Sequence, residues 1–349
     1  MVRVRFIPQY RIALSSMPLP SELKELSKRF KAVLVVAEDD ELMYDLSEWV
    51  KLGVRYAHIP VKDFSAPHLL ELYRGVRWIS ENVSKGLDVL IHCYGGIGRS
   101  GTFASAYLIY SEGLVVREAI STVRKHVPGA VETAEQEAML EAFELLMKAL
   151  PEPKISKVVG FAEKYDYGQG VGHASKVAQL ALKLWRSLAP ELSLPENTIT
   201  PLAVVAILHD IGRSIGDGRE HHVKSCKAIL ASKELREVLS EKELLLAALL
   251  ALYHRKESGD PREDPKIPGE IAETLAGLAG ILRIADALDY TLNQAVKDIE
   301  ANITKGKIKI KVYATSKWLT YYSVERAKEK KTLLEKIMRK QVRFTITYI

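Results

Sequence analysis

The first 150 residues alternate between short apolar runs and longer stretches with helical periodicity. The apolar runs predict buried strands at 2–7, 12–16, 32–36, 54–59 and 89–91. Amphipathic stretches predict helices near 42–52 and at 67–85, 102–111, 115–126 and 134–149. Because strands alternate with helices, the pattern predicts an α/β domain with a mostly parallel sheet flanked by helices.

The second half of the chain follows a different pattern. Two prolines at 151 and 153 cannot continue a helix, so we take 151–154 as a linker between domains 1–150 and 155–349. Helical spacing of apolar residues then predicts an all-α region over 155–292. The remaining segment, 293–349, predicts a hairpin, a helix at 323–340 and a final strand at 342–349, which together form a small α+β unit.

The composition indicates which classes of protein are compatible with this chain. With 349 residues, of which 47% are hydrophobic, the chain is long enough for two packed domains. It has no apolar run near the ~20 residues that span a membrane and no secretion signal, so we expect no membrane partner. Only two cysteines occur, which argues against a disulfide framework and favours a cytoplasmic protein.

Positive charge is concentrated near the C-terminal end. The net charge is +6, and residues 290–349 contain 14 Lys and Arg against 5 Asp and Glu. Such a segment attracts polyanions, including nucleic acid. Its aromatic residues Trp318, Tyr321 and Tyr322 form no stacking motif in the sequence. We therefore favour a solvated basic helix and hairpin, while a nucleic-acid partner stays open.

The candidate chemistry of the first domain follows the strand at 89–91. The segment reads His92-Cys93-Tyr94-Gly95-Gly96-Ile97-Gly98-Arg99-Ser100-Gly101-Thr102 and leads into an apolar helical run. A glycine-rich turn between a strand and a helix presents backbone N–H groups and the helix dipole to an anion. A helix N-terminus and a nearby cation also favour the thiolate form of a cysteine. The segment therefore predicts a phosphate site with a nucleophilic cysteine.

Each residue type in this segment has a chemical use. We expect the amides of 94–99 to bind phosphate oxygens, and Arg99 to hold two of them in a bidentate fork that Lys could not provide. Cys93 would be the nucleophile, and Ser100 would hydrogen-bond its sulfur and help it leave. His92 would orient the loop. A buried structural cysteine beside a glycine turn is the alternative, and the combined spacing argues against it.

The segment resembles the active-site loop of the protein tyrosine phosphatase superfamily, specifically its compact dual-specificity branch, and the resemblance covers residues 1–150. It implies a general acid on an upstream loop, which would be Asp63, 30 residues before Cys93. In some relatives a glutamine positions the hydrolytic water, and the resemblance implies that Gln136 would be this residue. A solvated loop aspartate and a surface glutamine are the alternatives for these two residues.

The helical half contains five histidines, and four of them form an ordered set with two aspartates. The set is His173, His209, Asp210, His222, His254 and Asp286. Imidazole and carboxylate ligands suit divalent ions such as Zn, Mn, Fe, Co or Mg. His221 competes with His222, which we prefer because it lies eight residues before Leu230. Arg213 and Arg255 are candidates for contact with a substrate phosphate, with surface arginines as the alternative.

This ordered set resembles the HD superfamily of metal-dependent phosphohydrolases, and the resemblance implies one or two divalent metal ions. The segments 208–212, 253–255 and 283–289 are similar to the helical C-terminal part of exopolyphosphatase and guanosine pentaphosphatase enzymes, over roughly 155–349. Those enzymes hydrolyse phosphoanhydrides in an actin-like nucleotide domain, and this chain has a phosphatase-like domain in its place. Hydrolysis of polyphosphate or guanosine pentaphosphate therefore does not transfer to this chain.

Together the resemblances imply a bifunctional phosphohydrolase. The first domain would act without a cofactor on phosphorylated proteins or small phosphoesters, and the second would use metal on a small phosphorylated molecule such as a nucleotide. Two alternatives stay open. The helical half could be a non-catalytic module for nucleotide sensing or homodimer formation, or the first domain could act on inositol phosphates, nucleotides or RNA 5′ ends.

Overall fold

A computed structural model describes residues 2–349 of the chain. The chain divides into two compact units, one ending at Glu144 and the other spanning Leu145–Ile349. This division falls within the helix Ala134–Ala149, and the proline-rich segment that we expected to link the domains lies between this helix and the next. Within the described range, no helix is both long enough and apolar enough to cross a membrane.

The first unit is an α/β fold built around a five-stranded sheet. Its strands are β1 Val4–Ile7, β2 Ile12–Ser15, β3 Ala32–Val35, β4 Arg55–His58 and β5 Val89–His92. Their order across the sheet is β1-β2-β5-β3-β4, and every neighbouring pair is parallel except β1 with β2. The structure thus confirms the predicted mostly parallel sheet.

Six helices accompany this sheet, and one of them differs from its prediction. They are α1 Leu23–Arg29, α2 Ser47–Lys51, α3 Leu69–Val83, α4 Gly98–Glu112, α5 Val116–His126 and α6 Ala134–Ala149. The helix predicted near 42–52 is reduced to α2, and a 3-10 turn forms just before it at Asp39–Glu41. Tyr44 therefore lies in irregular backbone between the turn and α2.

The central strand β5 positions the cysteine and the glycine-rich loop of the first unit at one edge of the sheet. It lies between β2 and β3 and is buried along its whole length, as expected for an apolar strand covered on both faces. In the register, Ser15 and Val35 flank His92. The carboxyl ends of three parallel strands therefore meet where the glycine-rich loop leads into α4, which is the usual place for a ligand in such sheets.

The second unit begins as a bundle of helices. They are α7 Lys154–Glu163, α8 Gly170–Leu188, α9 Ile199–Leu208, α10 His221–Ala231, α11 Lys233–Arg236, α12 Glu241–Tyr253 and α13 Gly269–Ala287. Helix α9 is apolar on every face and fully buried, because α7, α8 and α12 pack around it. The residues that follow it, His209 and Asp210, are consequently held in the core.

A small α+β unit completes the chain. It consists of β6 Val296–Ile303, β7 Lys307–Ala314, α14 Lys317–Lys330, α15 Thr332–Met338 and β8 Gln341–Tyr348. The hairpin is confirmed as β6 with β7, whereas the single helix predicted at 323–340 is two helices that begin earlier. Strand β8 pairs in parallel with β7, and a parallel pair needs a long crossover, which α14 and α15 supply.

Candidate active sites

The Cys93 thiol lies at the start of the loop that joins β5 to α4. The side chain is buried, and the Gly96 N–H donates a hydrogen bond to its sulfur at 3.2 Å. The Ser100 hydroxyl lies 3.5 Å from the same sulfur, in the first turn of α4. The structure therefore brings together the thiol, the hydroxyl and the N-terminus of a helix, where a negative charge is stabilised.

The loop is tightly curled, and Gly96 is the position that requires this residue most clearly. Its φ is +73°, and a Cβ there would overlap the backbone of Ser15 and Ser16 at the end of β2. A Cβ at Gly98 would most closely meet the flexible end of the Glu132 side chain. The backbone can therefore turn the Gly96 N–H toward the sulfur only because residue 96 carries no side chain.

The Arg99 guanidinium is buried and held by several acceptors. Its Nη1 and Nη2 donate to the two carboxylate oxygens of Glu41 at 2.5 and 2.8 Å, and Nη1 also donates to the Val61 carbonyl at 2.8 Å. Burial alone would lower the pKa of Arg99, but hydrogen bonding to Glu41 reverses this and raises it. Glu41 thus fixes the orientation and charge of the arginine that we assign to phosphate binding.

Asp63 and Gln136 both lie beside this loop. The Asp63 carboxylate is half exposed and lies 2.9 Å from Nη2 of Arg99. Gln136 is fully buried, so it is not the surface glutamine of the alternative interpretation. Its amide nitrogen donates to the Ser65 carbonyl at 3.1 Å, and its amide oxygen accepts from the Glu132 N–H at 2.9 Å. Gln136 therefore ties the segment that carries Asp63 to the start of α6.

His92 is oriented by a buried chain of hydrogen bonds. The Trp49 indole N–H donates to the Tyr44 oxygen at 2.9 Å, so the Tyr44 hydroxyl must donate onward to Nε2 of His92, 2.6 Å away. Burial lowers the pKa of His92 to about 4, which keeps the ring neutral near pH 7. Nδ1 of His92 then carries the proton and faces the Cys93 carbonyl at 3.4 Å.

The helical unit contains two clusters of metal-ligating side chains. One consists of His173, His209 and Asp286, and the other of Asp210, His221 and His254. Within each cluster the nearest ligand atoms lie within 4.8 Å of one another. His209 and Asp210 are adjacent in the sequence and join the clusters, so five helices contribute to one buried site.

The ligand atoms of these clusters are oriented toward a common space. Nδ1 of His209 and of His254 each face a backbone carbonyl, at 3.1 and 2.7 Å, and Nδ1 of His173 faces the Asp289 carboxylate at 2.9 Å. Nε2 of His173 and His209 and Oδ1 of Asp210 are buried and have no hydrogen-bond partner within residues 2–349. Orphaned acceptors cost roughly 1–3 kcal/mol each, and a divalent cation would satisfy them. The residues therefore fit one or two metal ions.

His221, and not His222, completes the second cluster. Nε2 of His221 lies 3.2 Å from Oδ1 of Asp210 and 3.3 Å from Nε2 of His254. Both histidines lie in the first turn of α10, where consecutive side chains point about 100° apart, so only one can face the cluster. The structure thus places His221 in the cluster instead of the His222 that we preferred, because the distance from Leu230 does not determine which side of the helix faces inward.

Both clusters open into one cleft of about 440 Å³. Five basic side chains line it: Arg213, Arg219, Arg255, Arg326 and Lys330. Nε of Arg213 donates to Asp210 at 2.8 Å, and Nζ of Lys330 donates to Asp286 at 2.6 Å. Arg213 and Arg255, the two predicted substrate contacts, thus both line the cleft, together with the acidic side chains Asp210, Glu220, Glu257 and Asp286.

Comparisons with known proteins match a protein family to each of the two units. Residues 14–145 match the family described as dual specificity phosphatase, catalytic domain, and residues 156–332 match the family described as Ppx/GppA phosphatase, domain III. The second match covers half of the chain. The chain belongs to the Ppx/GppA domain III family. Its first unit is a dual specificity phosphatase catalytic domain.

Curated relatives resemble part of the chain. It is 24% identical over 159 residues to the tyrosine-protein phosphatase CDC14 of Candida albicans, which covers 43% of this chain and 29% of that protein. It is 30% identical over 122 residues to phosphatidylglycerophosphatase and protein-tyrosine phosphatase 1 of Rattus norvegicus, covering 33% and 63%. The chain thus spans less than two thirds of either relative.

Among solved structures, Tk-PTP in its active form is similar to the chain. The two sequences are 50% identical, the match covers 40% of this chain and 95% of that one, and the TM-score is 0.40.

Two further side chains beside these sites, Glu41 and Lys330, do not stand out in the sequence, and a third, Asp289, does so only in part. Glu41 lies 58 residues before Arg99 in an acidic run, Glu38-Asp39-Asp40-Glu41, that carries no characteristic spacing. Lys330 reaches the Ppx/GppA cleft from the C-terminal α14, far from any histidine motif. Asp289 was recognisable, since it ends the segment that begins at Arg283 and contains Asp286, but only the structure shows that it orients His173.

We expect Glu41→Gln to reduce the activity of the dual specificity phosphatase domain roughly 10- to 100-fold, because charge-assisted hydrogen bonds contribute about 1.5–3 kcal/mol. The measurement is kcat/KM for p-nitrophenyl phosphate in the presence of chelator. Glu48→Gln, which alters an exposed carboxylate paired with Lys51, is the matched control. Equal rates for the two variants would show that Arg99 does not depend on Glu41.

We expect Asp289→Asn to weaken metal binding by domain III about 10- to 100-fold, as is usual when the carboxylate behind a ligating histidine is removed. The reason is that a neutral Asn amide would accept the Nδ1–H of His173 more weakly than the Asp289 carboxylate does. Calorimetric titration of the chelator-treated protein with Mn²⁺ measures this. Glu300→Gln, on an exposed part of β6, should bind the ion as the wild type does. A wild-type affinity in Asp289→Asn would contradict the assignment.

Proposed function

We propose that the chain is a bifunctional phosphohydrolase with one cysteine-dependent and one metal-dependent site. The observation that carries the proposal for the first site is the buried Cys93 sulfur, which accepts a hydrogen bond from the Gly96 N–H at the N-terminus of α4. For the second site it is the set of buried, unpartnered imidazole and carboxylate atoms beside one cleft to which five basic side chains contribute.

In the proposed first step, the Cys93 thiolate attacks the phosphorus atom of a phosphate monoester. A sulfur–phosphorus bond forms while the bond from phosphorus to the leaving oxygen breaks. Asp63, protonated at this stage, gives its proton to the leaving oxygen, which departs as an alcohol. Arg99 and the loop N–H groups bind the phosphoryl oxygens, which carry negative charge throughout the step.

In the proposed second step, water attacks the phosphorus atom and the sulfur–phosphorus bond breaks. Asp63 now accepts the proton from water, so inorganic phosphate leaves and the acid is restored. Ser100, 3.5 Å from the sulfur, stabilises the departing thiolate by hydrogen bonding. Gln136 is close enough to Gly98 to position the water, and its own orientation is fixed by Ser65 and Glu132.

In domain III, we propose that the residues of the two clusters hold one or two divalent ions. When bound, such ions supply Lewis-acid activation of a phosphate ester toward hydrolysis. Arg213, Arg255 and Lys330 bind the phosphate oxygens that face away from the clusters, since they line the same cleft. Asp289 keeps His173 in the tautomer whose Nε2 is free to ligate.

The substrate of the first site is proposed only as a class, phosphorylated proteins or small phosphate monoesters. The rat relative is named as a phosphatidylglycerophosphatase and protein-tyrosine phosphatase, so both lipid headgroup phosphates and phosphotyrosine are worth testing. Inositol phosphates, nucleotides and RNA 5′ ends are the other candidate substrates of the first site.

The test is a panel of phosphate monoesters and diesters, assayed on the full chain with and without chelator. We expect one group of substrates to be hydrolysed in chelator and another to require added Mn²⁺. If no substrate requires metal, yet nucleotides still bind, domain III is a sensing module and the second half of the proposal fails. If nothing is hydrolysed in chelator, the first half fails.

A further inference from the structure

Helix α14 carries a row of side chains that winds from the surface toward the metal cleft. The row consists of Trp318, Tyr322, Arg326 and Lys330, each four residues after the previous one. Successive members are neighbours on the helix surface, and because each step of four residues turns about 40°, the row turns about 120° around the helix from Trp318 to Lys330. The first two are 72% and 56% exposed, whereas the side chains of Arg326 and Lys330 are 39% and 13% exposed. The row spans about 18 Å along the helix axis.

The inner end of this row belongs to the cleft. Nζ of Lys330 lies 2.6 Å from the Asp286 carboxylate, and both Arg326 and Lys330 line the cleft. Tyr290, an exposed aromatic residue on the same wall, lies under the Arg326 guanidinium with 5.3 Å between the ring centroid and Cζ. Aromatic rings at the outer end therefore continue into a mixed aromatic and basic surface beside the metal ligands.

We propose that this row binds a single-stranded nucleic acid and directs one of its phosphates into the metal cleft. Exposed aromatic rings bind bases of any sequence by stacking, and basic side chains bind the phosphates between them. Along α14, the aromatic rings lie at the outer end of the row and the cations lie at the inner end. A strand that enters the cleft by its end would place bases on the rings and its terminal phosphate beside the cations. The inference rests on the proposed metal site for the chemistry at the inner end of the row.

The charges around the row favour this ligand. Residues 290–349 contain 14 basic against 5 acidic residues, which gives a net charge of +9 to this segment. The two acidic residues of α14 that lie near the row are paired, Glu325 with Lys328 at 2.6 Å and Glu329 with Arg326 at 2.5 Å, so a phosphate would replace Glu329 as the partner of Arg326. A polyphosphate chain would also be attracted here, but it has no ring to place on Trp318 and Tyr322.

The binding experiment uses the full chain and a fluorescein-labelled single-stranded oligothymidylate of twelve nucleotides. Anisotropy is measured in chelator, so that no hydrolysis occurs. We expect the Trp318→Ala/Tyr322→Ala double variant to bind at least about tenfold more weakly, because each stacked base contributes substantially to affinity. Tyr348→Ala removes an exposed tyrosine from β8 of the same unit and should bind as the wild type does. Affinity should also fall steeply with added salt.

The outcomes distinguish nucleic-acid binding by the row from other roles of this surface. Equal binding by the double variant and the wild type would overturn the inference. Sedimentation that shows a wild-type dimer and a monomeric double variant would also overturn it, because the row would then be a contact between copies. Added Mn²⁺ gives the second arm. If the oligonucleotide binds but is not hydrolysed, the row binds nucleic acid and the metal-dependent activity is rejected. If mononucleotides are hydrolysed but the oligonucleotide does not bind, the metal-dependent activity stands and the row is rejected.

Discussion

Cys93→Ser is expected to abolish chelator-insensitive phosphatase activity, with a loss in kcat of about 10⁴-fold or more, as is typical when a catalytic nucleophile is removed. A serine hydroxyl is not ionised near neutral pH, and it has no general base beside it to accept its proton. The fold should be unaffected, because a hydroxyl fits where the thiol accepts from Gly96. The measurements are the rate with p-nitrophenyl phosphate in chelator and the thermal unfolding midpoint.

The second cysteine provides the matched control for this variant. Cys226 is buried in α10, where burial raises the pKa of its thiol and keeps it protonated. Cys226→Ser should therefore retain the chelator-insensitive rate. Retained activity in Cys93→Ser, or an equal loss in both variants, would mean that Cys93 is not the nucleophile.

Asp210→Asn is expected to have the second largest effect. Oδ1 of Asp210 lies 3.2 Å from Nε2 of His221 and 3.7 Å from Nε2 of His254, and a neutral amide there could not balance the charge of a divalent ion. The loss in metal affinity should exceed the roughly 10- to 100-fold cost of removing a partner behind a ligand. Elemental analysis after dialysis and the metal-dependent rate of hydrolysis both measure it.

Two control measurements test whether the effect of Asp210→Asn is specific to the metal site. Asp217→Asn, which changes an exposed carboxylate paired with Lys224, should keep the metal content of the wild type. The chelator-insensitive rate of Asp210→Asn should also match the wild type, since it depends on the other unit. Unchanged metal content in Asp210→Asn would count against the cluster as a metal site.

The parts of the fold and the cysteine site that could be predicted were those encoded locally. Val89–His92 is an apolar strand followed directly by the glycine-rich segment and α4, so strand, loop and helix start follow from consecutive residues. The helix at 134–149 has the predicted bounds because an amphipathic stretch ends at proline. The ordered histidines were likewise visible, since each lies near a helix end.

Contacts between distant segments could not be predicted in the same way. Glu41 lies in a 3-10 turn just before the expected helix near 42–52, and the fold brings this turn to Arg99, 58 residues further along the chain. The choice between His221 and His222 depends on the rotation of α10 about its axis, which packing against α12 decides. Neither the turn nor the rotation leaves a periodic pattern in the sequence, so a single sequence could not reveal them.

The contact between Lys330 and Asp286 limits how the helical unit can be dissected. The two residues lie 44 positions apart, one at the end of α13 and the other at the end of α14. A graft of residues 155–292 into another protein would carry every imidazole and carboxylate of the site. It would nevertheless leave Asp286 without its ammonium partner and open one side of the cleft to solvent, so the bundle and the C-terminal α+β unit that carries α14 must be transplanted together.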